Sequence, residues 1–289
     1  MFRRPSSCIL APGVAVSGLV AVCLPVAAQH IEYSKVAPAV LEKRLKSVED
    51  KNADREKVVT ALFREAGCDH DALTEQPVKG ARTPNVICTL VGTSDTRIVV
   101  GAHYDKVPVS SGVIDNWTGT CLLPSLYEGL RTKPHHFTFV FVSFTDEEKG
   151  LVGSRYFVKH LSPEDRRRIQ AMVNIDTLGL SDTEVWLSRA DKKLASVAGA
   201  VAHSLNLPLT AVNVERVGDS DSEPFVEKKI PAIDFHSLTQ ATLHILHTPE
   251  DRMEAVHLEE YERSYELLAA YLAVLDATLN REAPETPWR

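Results

Sequence analysis

The apolar segment 137–144, with the sequence FTFVFVSF, places the strongest limit on the fold of this chain. Aromatic and β-branched residues occupy both sides of its alternating pattern, so a strand formed here has two apolar faces. Such a strand needs cover above and below, which parallel and mostly parallel sheets receive from helices. The segment therefore predicts a central strand of an α/β domain.

The rest of the chain alternates between strand and helix character. Strands are predicted at 85–91, 97–103, 137–144, 172–175, 185–188 and 232–235. Helical periodicity predicts helices at 36–66, 116–132, 150–161, 192–205 and 258–279. This order predicts an α/β fold with a mixed, mostly parallel central sheet covered by helices on both faces. We interpret residues 29–289 as a single domain, because no linker or repeat divides them.

Residues 1–28 have the features of a secretory signal peptide. Arg3 and Arg4 precede a long uncharged apolar run that ends in Val-Ala-Ala, small residues of the kind a signal peptidase requires. A retained membrane anchor is an alternative, as is a lipoprotein anchor at Cys23. Cleavage predicts an exported protein, periplasmic or extracellular, with no membrane contact afterwards.

Charge and cysteine content exclude two classes of protein. The 289-residue chain has a formal net charge of -7, which is unlike a nucleic-acid-binding protein, and its five cysteines are too few to build a disulfide scaffold. Cys68, Cys88 and Cys121 follow the signal segment. Cys68 and Cys88 flank predicted neighbouring strands and are the candidate disulfide pair, and three reduced, buried cysteines are the alternative.

Acidic residues and histidines follow the predicted strands. They are His103, Asp115, the run Asp146-Glu147-Glu148, Asp176 and, in a polar turn, His247. Ligands of open α/β sheets gather at the carboxyl ends of strands, so these side chains are expected to converge. Carboxylates at such distances repel one another unless cations neutralise them. Two divalent metal ions would do so, and a mixture of imidazole and carboxylate suits zinc.

Five short motifs in this order resemble the co-catalytic zinc aminopeptidases, whose superfamily also contains the glutaminyl cyclases. They are GAHYD at 101–105, IDNWTG at 114–119, DEEKGLVGS at 146–154, NID at 174–176 and HTPED at 247–251. The resemblance implies a zinc-exopeptidase fold, two zinc ions and removal of residues from peptides that have a free N-terminus. Cobalt or manganese could replace zinc in such a site. The sequence leaves the preferred residue and the oligomeric state open.

The resemblance also implies a role for each matching residue. Asp115 would bridge the two ions, with His103 and Asp176 completing one site and Glu148 and His247 the other. The implied catalytic residues are Glu147, as general base and acid, and Asp105, which would accept the other ring N–H of His103 and so set its tautomer.

Two positions depart from the family pattern, and two other functions compete with peptide hydrolysis. Leu246 stands where some relatives have an aromatic residue before the last histidine, and Ser222 replaces the histidine of a segment reading SDHxPF. The first competing function is that of a glutaminyl cyclase, against which the pair His103 and Asp105 argues. The second is a non-catalytic binding protein, although such proteins lose metal ligands that this chain keeps.

Overall fold

The computed structural model describes residues 19–22, 31–214 and 218–279. The strands are β1 Leu19–Val22, β2 Ile31–Ser34, β3 Leu73–Gln76, β4 Asn85–Leu90, β5 Arg97–His103, β6 Thr138–Phe144, β7 Ile169–Ile175, β8 Glu184–Trp186, β9 Thr210–Val212 and β10 Ala232–His236. The helices are α1 Pro38–Leu45, α2 Asn52–Glu65, α3 Thr118–Leu130, α4 Val152–Lys159, α5 Pro163–Arg168, α6 Lys192–Leu205, α7 Glu223–Glu227 and α8 Leu258–Thr278.

Eight of the strands form one mixed sheet in the order β3-β4-β6-β5-β7-β10-β8-β9. The four central strands β6, β5, β7 and β10 are parallel. Strand β4 is antiparallel to β6, β3 to β4, and β8 to β10, whereas β9 is parallel to β8. The predicted α/β fold with a mixed, mostly parallel sheet is confirmed.

The central strand β6 is buried along its whole length, as the apolar pattern predicted. On one face, Phe139 and Phe141 belong to a large core that includes residues of α1, α2, α3, α6 and α8. On the other face, Val142 and Phe144 belong to a second core with residues of α4 and α7, where Phe144 meets Phe225 at a ring-centroid distance of 6.4 Å. Helices therefore cover both faces of the sheet.

The prediction of one helix over 36–66 was wrong, because α1 and α2 are separated by residues 46–51. The hydroxyl of Ser47 donates to the carbonyl of Arg44 at 2.6 Å, a side-chain bond that competes with helical backbone bonding. The turn lets Leu45 of α1 and Phe63 of α2 both enter the large core. Strands β2, β3 and β9 and helix α7 were missed, because elements of a few residues carry little periodicity.

Most of the predicted signal segment 1–28 lies outside the described residues. Within it, Leu19–Val22 forms strand β1, which pairs antiparallel with β2. None of the helices in the described parts of the chain has the length and apolar character that a membrane crossing requires.

A disulfide joins Cys68, just beyond α2, to Cys88 in β4, with a sequence separation of 20 residues. Cys121 is a free, buried cysteine. Of the two alternatives for the cysteines, the structure has the pair Cys68 and Cys88.

Removal of this disulfide by Cys68→Ala with Cys88→Ala should lower the free energy of unfolding by about 3 kcal/mol, because the cross-link restricts the unfolded chain. Denaturant unfolding with and without a thiol reductant would measure the loss. The double variant is its own control, since reductant should not change its midpoint. An unchanged midpoint for the unsubstituted protein in reductant would contradict a stabilising disulfide.

Candidate metal centre

The carboxyl ends of the parallel strands place the predicted site residues at one edge of the sheet. His103 is the last residue of β5, and Asp176 follows β7 directly. Glu147 and Glu148 form a short turn after β6. Asp115 precedes α3, and His247 comes from the long loop after β10. All seven residues predicted for the site, which also include Asp105, are brought together here.

Asp115 lies at the centre of this cluster. Its Oδ1 is 3.1 Å from Nε2 of His103, and its Oδ2 is 3.2 Å from Nε2 of His247. Two groups of possible metal donors share it, and in each group the donor atoms lie within 4.8 Å of one another: His103, Asp115 and Asp176 form one, and Asp115, Glu148 and His247 form the other. One carboxylate thus faces both groups.

Asn116 ties the turn that carries Asp115 to the end of β7. Its Nδ2 donates to the carbonyl of Ile175 at 2.8 Å, and its Oδ1 accepts from the backbone N–H of Gly119 and of Thr177. A Cβ at Gly119 would lie 2.5 Å from both Asn116 Oδ1 and the Ile175 carbonyl oxygen, so only glycine fits. The peptide bond between Asp115 and Asn116 is cis. The three hydrogen bonds of the Asn116 side chain set the position of Asp115 relative to Asp176.

Asp105 organises the other side of the cluster. Its Oδ1 lies 3.4 Å from Nδ1 of His103, on the side that the sequence predicted. The same carboxylate also accepts the backbone N–H of Glu147 at 2.9 Å and that of Glu148 at 3.2 Å, which the sequence did not predict. Asp105 therefore holds the turn that carries both glutamates and lies beside the ring of His103.

The two adjacent glutamates point to different places. Oε2 of Glu148 is 2.9 Å from Nε2 of His247, whereas Oε2 of Glu147 is 3.9 Å from Nε2 of His103. Oε1 of Glu148 is buried and has no hydrogen-bond partner among the described residues. Glu148 is thus placed as a donor of the second group, and Glu147 stays outside both groups.

Crowding of buried and half-buried acids shifts the pKa values of the groups in this cluster. Burial raises the pKa values of Glu147, Glu148 and Asp176 above their usual range. Burial would also raise the pKa of Asp115, but hydrogen bonds with the two histidines hold it below its usual range. Hydrogen bonds to Asp115 and Glu148 raise the pKa of His247 to about 10. Divalent cations neutralise an excess of negative charge of this kind, so the donor set fits zinc.

Two further buried acids stand next to the cluster and were missed in the sequence. Burial raises the pKa of Asp221, which is 1% exposed, to about 7. Burial also raises the pKa of Asp251 to about 6, and its Oδ1 accepts the backbone N–H of Ile114, next to Asp115, at 2.6 Å. Asp221 lies in the segment 220–225, which reads SDSEPF and resembles the family segment SDHxPF, and Asp251 lies in the motif HTPED. The resemblance of these two segments to the family pattern was the signal that could have identified both acids.

A cavity of about 260 Å³ opens beside the two donor groups. Its apolar lining consists of Leu151, Trp186, Val214, Phe235, Leu238 and Leu246. Leu246, the first departure from the family pattern, is therefore a wall residue. Ser222, the second departure, is fully buried and donates to Oδ2 of Asp234 at 2.7 Å.

Comparison with known proteins identifies the family. The model of peptidase family M28 matches residues 85–272. The chain belongs to peptidase family M28. The resemblance predicted from the five motifs is thereby confirmed, and 85–272 contains every residue predicted for the site.

One curated relative is the aminopeptidase YwaD of Bacillus subtilis, which is 30% identical over 196 residues. That match covers 65% of this chain and 43% of the relative, so this M28 chain spans less than half of the relative's length.

Three solved structures share the fold. LapA aminopeptidase of Legionella pneumophila has a TM-score of 0.75 at 20% identity and covers 85% of this chain and 73% of its own. BSAP, a zinc aminopeptidase of Bacillus subtilis, has a TM-score of 0.62 at 28% identity, and the match covers 70% of this chain and 52% of BSAP. A glutaminyl cyclase of an Acidobacteriales bacterium has a TM-score of 0.67 at 16% identity, and the match covers 83% of this chain and 93% of the cyclase. The fold of the family therefore also occurs in cyclases.

Zinc binding by this M28 chain should strengthen as pH rises. His247 is protonated at neutral pH without metal, because its pKa is raised to about 10, and zinc must displace that proton. Affinity should increase about tenfold per pH unit for each proton released. Zinc titrations between about pH 6 and pH 8 would measure the slope. His247→Gln should make the slope smaller, because one proton fewer is released, whereas the exposed neighbour change His244→Gln should not change it. A pH-independent affinity would contradict the expectation.

Proposed function

We propose that this chain is an exported, zinc-dependent aminopeptidase that holds two zinc ions and hydrolyses the first peptide bond of peptides with a free N-terminus. The observation that carries the proposal is the position of Asp115 between two donor groups. His103 and Asp176 would complete one metal site, and Glu148 and His247 the other. Membership of family M28 supports the peptidase activity, and the similarity to a zinc aminopeptidase supports the metal.

Glu147 is the residue that moves the proton in this proposal. It lines the cavity, lies near the first donor group and belongs to neither group. Bound zinc would polarise the scissile carbonyl and activate water. Glu147 would accept the proton of the attacking water and then give it to the leaving amine. Burial raises the pKa of Glu147 above its usual range, which favours retention of the accepted proton until it passes to the leaving amine. Asp105 would hold the turn of Glu147 in place through backbone bonds.

The cavity supports attack at the amino end of a peptide. Acidic side chains line it next to the donor groups and would hold a substrate's α-ammonium. Its volume of about 260 Å³ would accommodate the side chain of the first residue beside the donor groups. The bond cleaved would therefore be the one that follows the first residue.

Export is supported by two features. Residues 1–28 have the pattern of a signal peptide. The disulfide between Cys68 and Cys88 is typical of proteins in oxidising compartments, such as the periplasm or the extracellular space.

Replacement of Glu147 by glutamine should lower kcat about a hundredfold to ten-thousandfold and leave zinc binding intact, since the amide cannot accept the proton. Purified protein would be incubated with mixed peptides, some beginning with glutamine, and the products read by mass spectrometry. Stepwise loss of N-terminal residues, abolished by a chelator, is the expected result. Glu250→Gln, which changes an exposed glutamate of the neighbouring loop, is the control and should keep full activity.

Other products would assign a different function. Loss of ammonia alone, and only from the glutamine peptides, would make the protein a glutaminyl cyclase. Unchanged peptides in the presence of bound zinc would favour the non-catalytic binding protein.

Metal content should follow the two donor groups. Elemental analysis of the dialysed protein should find two zinc ions per chain, reduced to one by Asp176→Asn and to fewer than one by Asp115→Asn, because only Asp115 serves both sites. The control Asp219→Asn changes an exposed aspartate at the cavity and should keep two. Equal zinc content in all variants would overturn the assignment.

A further inference from the structure

The N-terminal helices lie outside residues 85–272, the part of the chain that the family model matches. One residue of α2, Arg55, is nevertheless completely buried and reaches the edge of the sheet where the metal donors converge. A buried arginine must have its N–H groups satisfied, so its partners show what it holds.

All of the hydrogen bonds of Arg55 end on backbone carbonyl oxygens. Nε donates to Glu49 at 2.7 Å and Nη1 to Tyr104 at 3.1 Å. Nη2 donates to both Ser111 and Gly112, the latter at 3.0 Å. The guanidinium also lies 5.3 Å from the ring centroid of Trp117.

These bonds close the base of the loop that connects two predicted zinc ligands. Tyr104 stands between His103 and Asp105, and Gly112 is three residues before Asp115. The loop 104–112 has no helix or strand of its own, so its carbonyl groups depend on such partners. Arg55 therefore links the backbone beside His103 to the backbone that leads to Asp115.

The position also suits a fixed positive charge. Burial lowers the pKa of Arg55 to about 10, while the charges of Asp251, Asp105 and Asp50 act to raise it. The guanidinium therefore remains protonated at neutral pH. The guanidinium lies close to the backbone of Gly112, because a Cβ at Gly112 would lie 3.1 Å from Nη2 of Arg55.

We propose that Arg55 is a positioning residue for the metal centre, which sets the distance between His103 and Asp115 by binding the carbonyl groups of Tyr104, Ser111 and Gly112. The proposal rests on the proposed function only in taking His103 and Asp115 as zinc ligands. It extends the functional part of the molecule to a helix outside the family match.

Arg44 offers a matched control in the neighbouring helix α1. It is 2% exposed, and it donates to side chains of α3, to Ser125 at 2.8 Å and to Glu128. A substitution of Arg44 also removes a buried arginine, but it leaves the loop 104–112 in place. The two arginines therefore separate a loss of stability from a loss of metal geometry.

The test compares Arg55→Met, Arg55→Lys and Arg44→Met in the full chain. Zinc affinity would be measured by competition with a chromophoric chelator. The visible absorption spectrum of the cobalt-loaded protein would report the metal geometry, and thermal unfolding of the metal-free protein would give Tm. Arg55→Met should weaken zinc binding about 10–100-fold and change the cobalt spectrum. Arg55→Lys keeps the charge and part of the hydrogen bonding, so its zinc affinity should lie between those of the unsubstituted protein and Arg55→Met. Arg44→Met should lower Tm but leave zinc affinity and the cobalt spectrum unchanged.

Wild-type zinc affinity and an unchanged cobalt spectrum in Arg55→Met would overturn the proposal and leave Arg55 a residue for stability alone. Equal weakening of zinc binding in Arg44→Met would overturn it as well. If Arg55→Met does not fold, Arg55→Lys decides, since unaltered affinity there would count against the proposal. Failure of the unsubstituted protein to bind zinc would instead overturn the proposed function, and this proposal with it.

Discussion

Crowding of several buried or half-buried carboxylates at one edge of the sheet is the physical constraint on which the rest of this structure depends. Asp115, Glu148, Asp176 and Glu147 line one small cavity, and ionised groups at these distances repel each other strongly where protein atoms replace part of the surrounding water. The imidazoles of His103 and His247 offset part of that charge. Two divalent cations would offset the rest. The composition of this cluster is therefore that of a binding site for divalent metal ions.

Side-chain bonds to the backbone hold the loops that carry these acids. Asp105 binds the turn of the two glutamates, Asn116 joins the start of α3 to the end of β7, and Arg55 closes the loop before Asp115. Loops lack the internal bonding of helices and strands, so their carbonyl and N–H groups must find partners elsewhere. These three polar residues fix the backbone positions of the loops, and a metal site requires ligands that are held in fixed positions.

Long, strongly patterned features could be predicted from sequence. The two-faced strand 137–144 corresponds to β6, and the segment 192–205 is the helix α6 with the predicted bounds. The break between α1 and α2 was missed, although the polar run 49–52 interrupts the apolar spacing between Val48 and Val58. It arises because both helices must pack against the same face of the sheet. Helix α7 has only five residues, too few for a periodic signal.

The sequence by itself determined the fold class and the chemical character of the site, because apolar periodicity and the residues that follow strands are local properties of the chain. The sequence predicted that acids and histidines converge, since parallel strands share an edge, and the resemblance to the zinc aminopeptidases selected His103, Asp115, Glu148, Asp176 and His247 as ligands. Only the tertiary structure decided that Asp105 holds the turn of the glutamates and that Arg55 reaches the loop 104–112. Those contacts join residues 42 to 57 positions apart, and no local pattern encodes which distant carbonyl a buried side chain will meet.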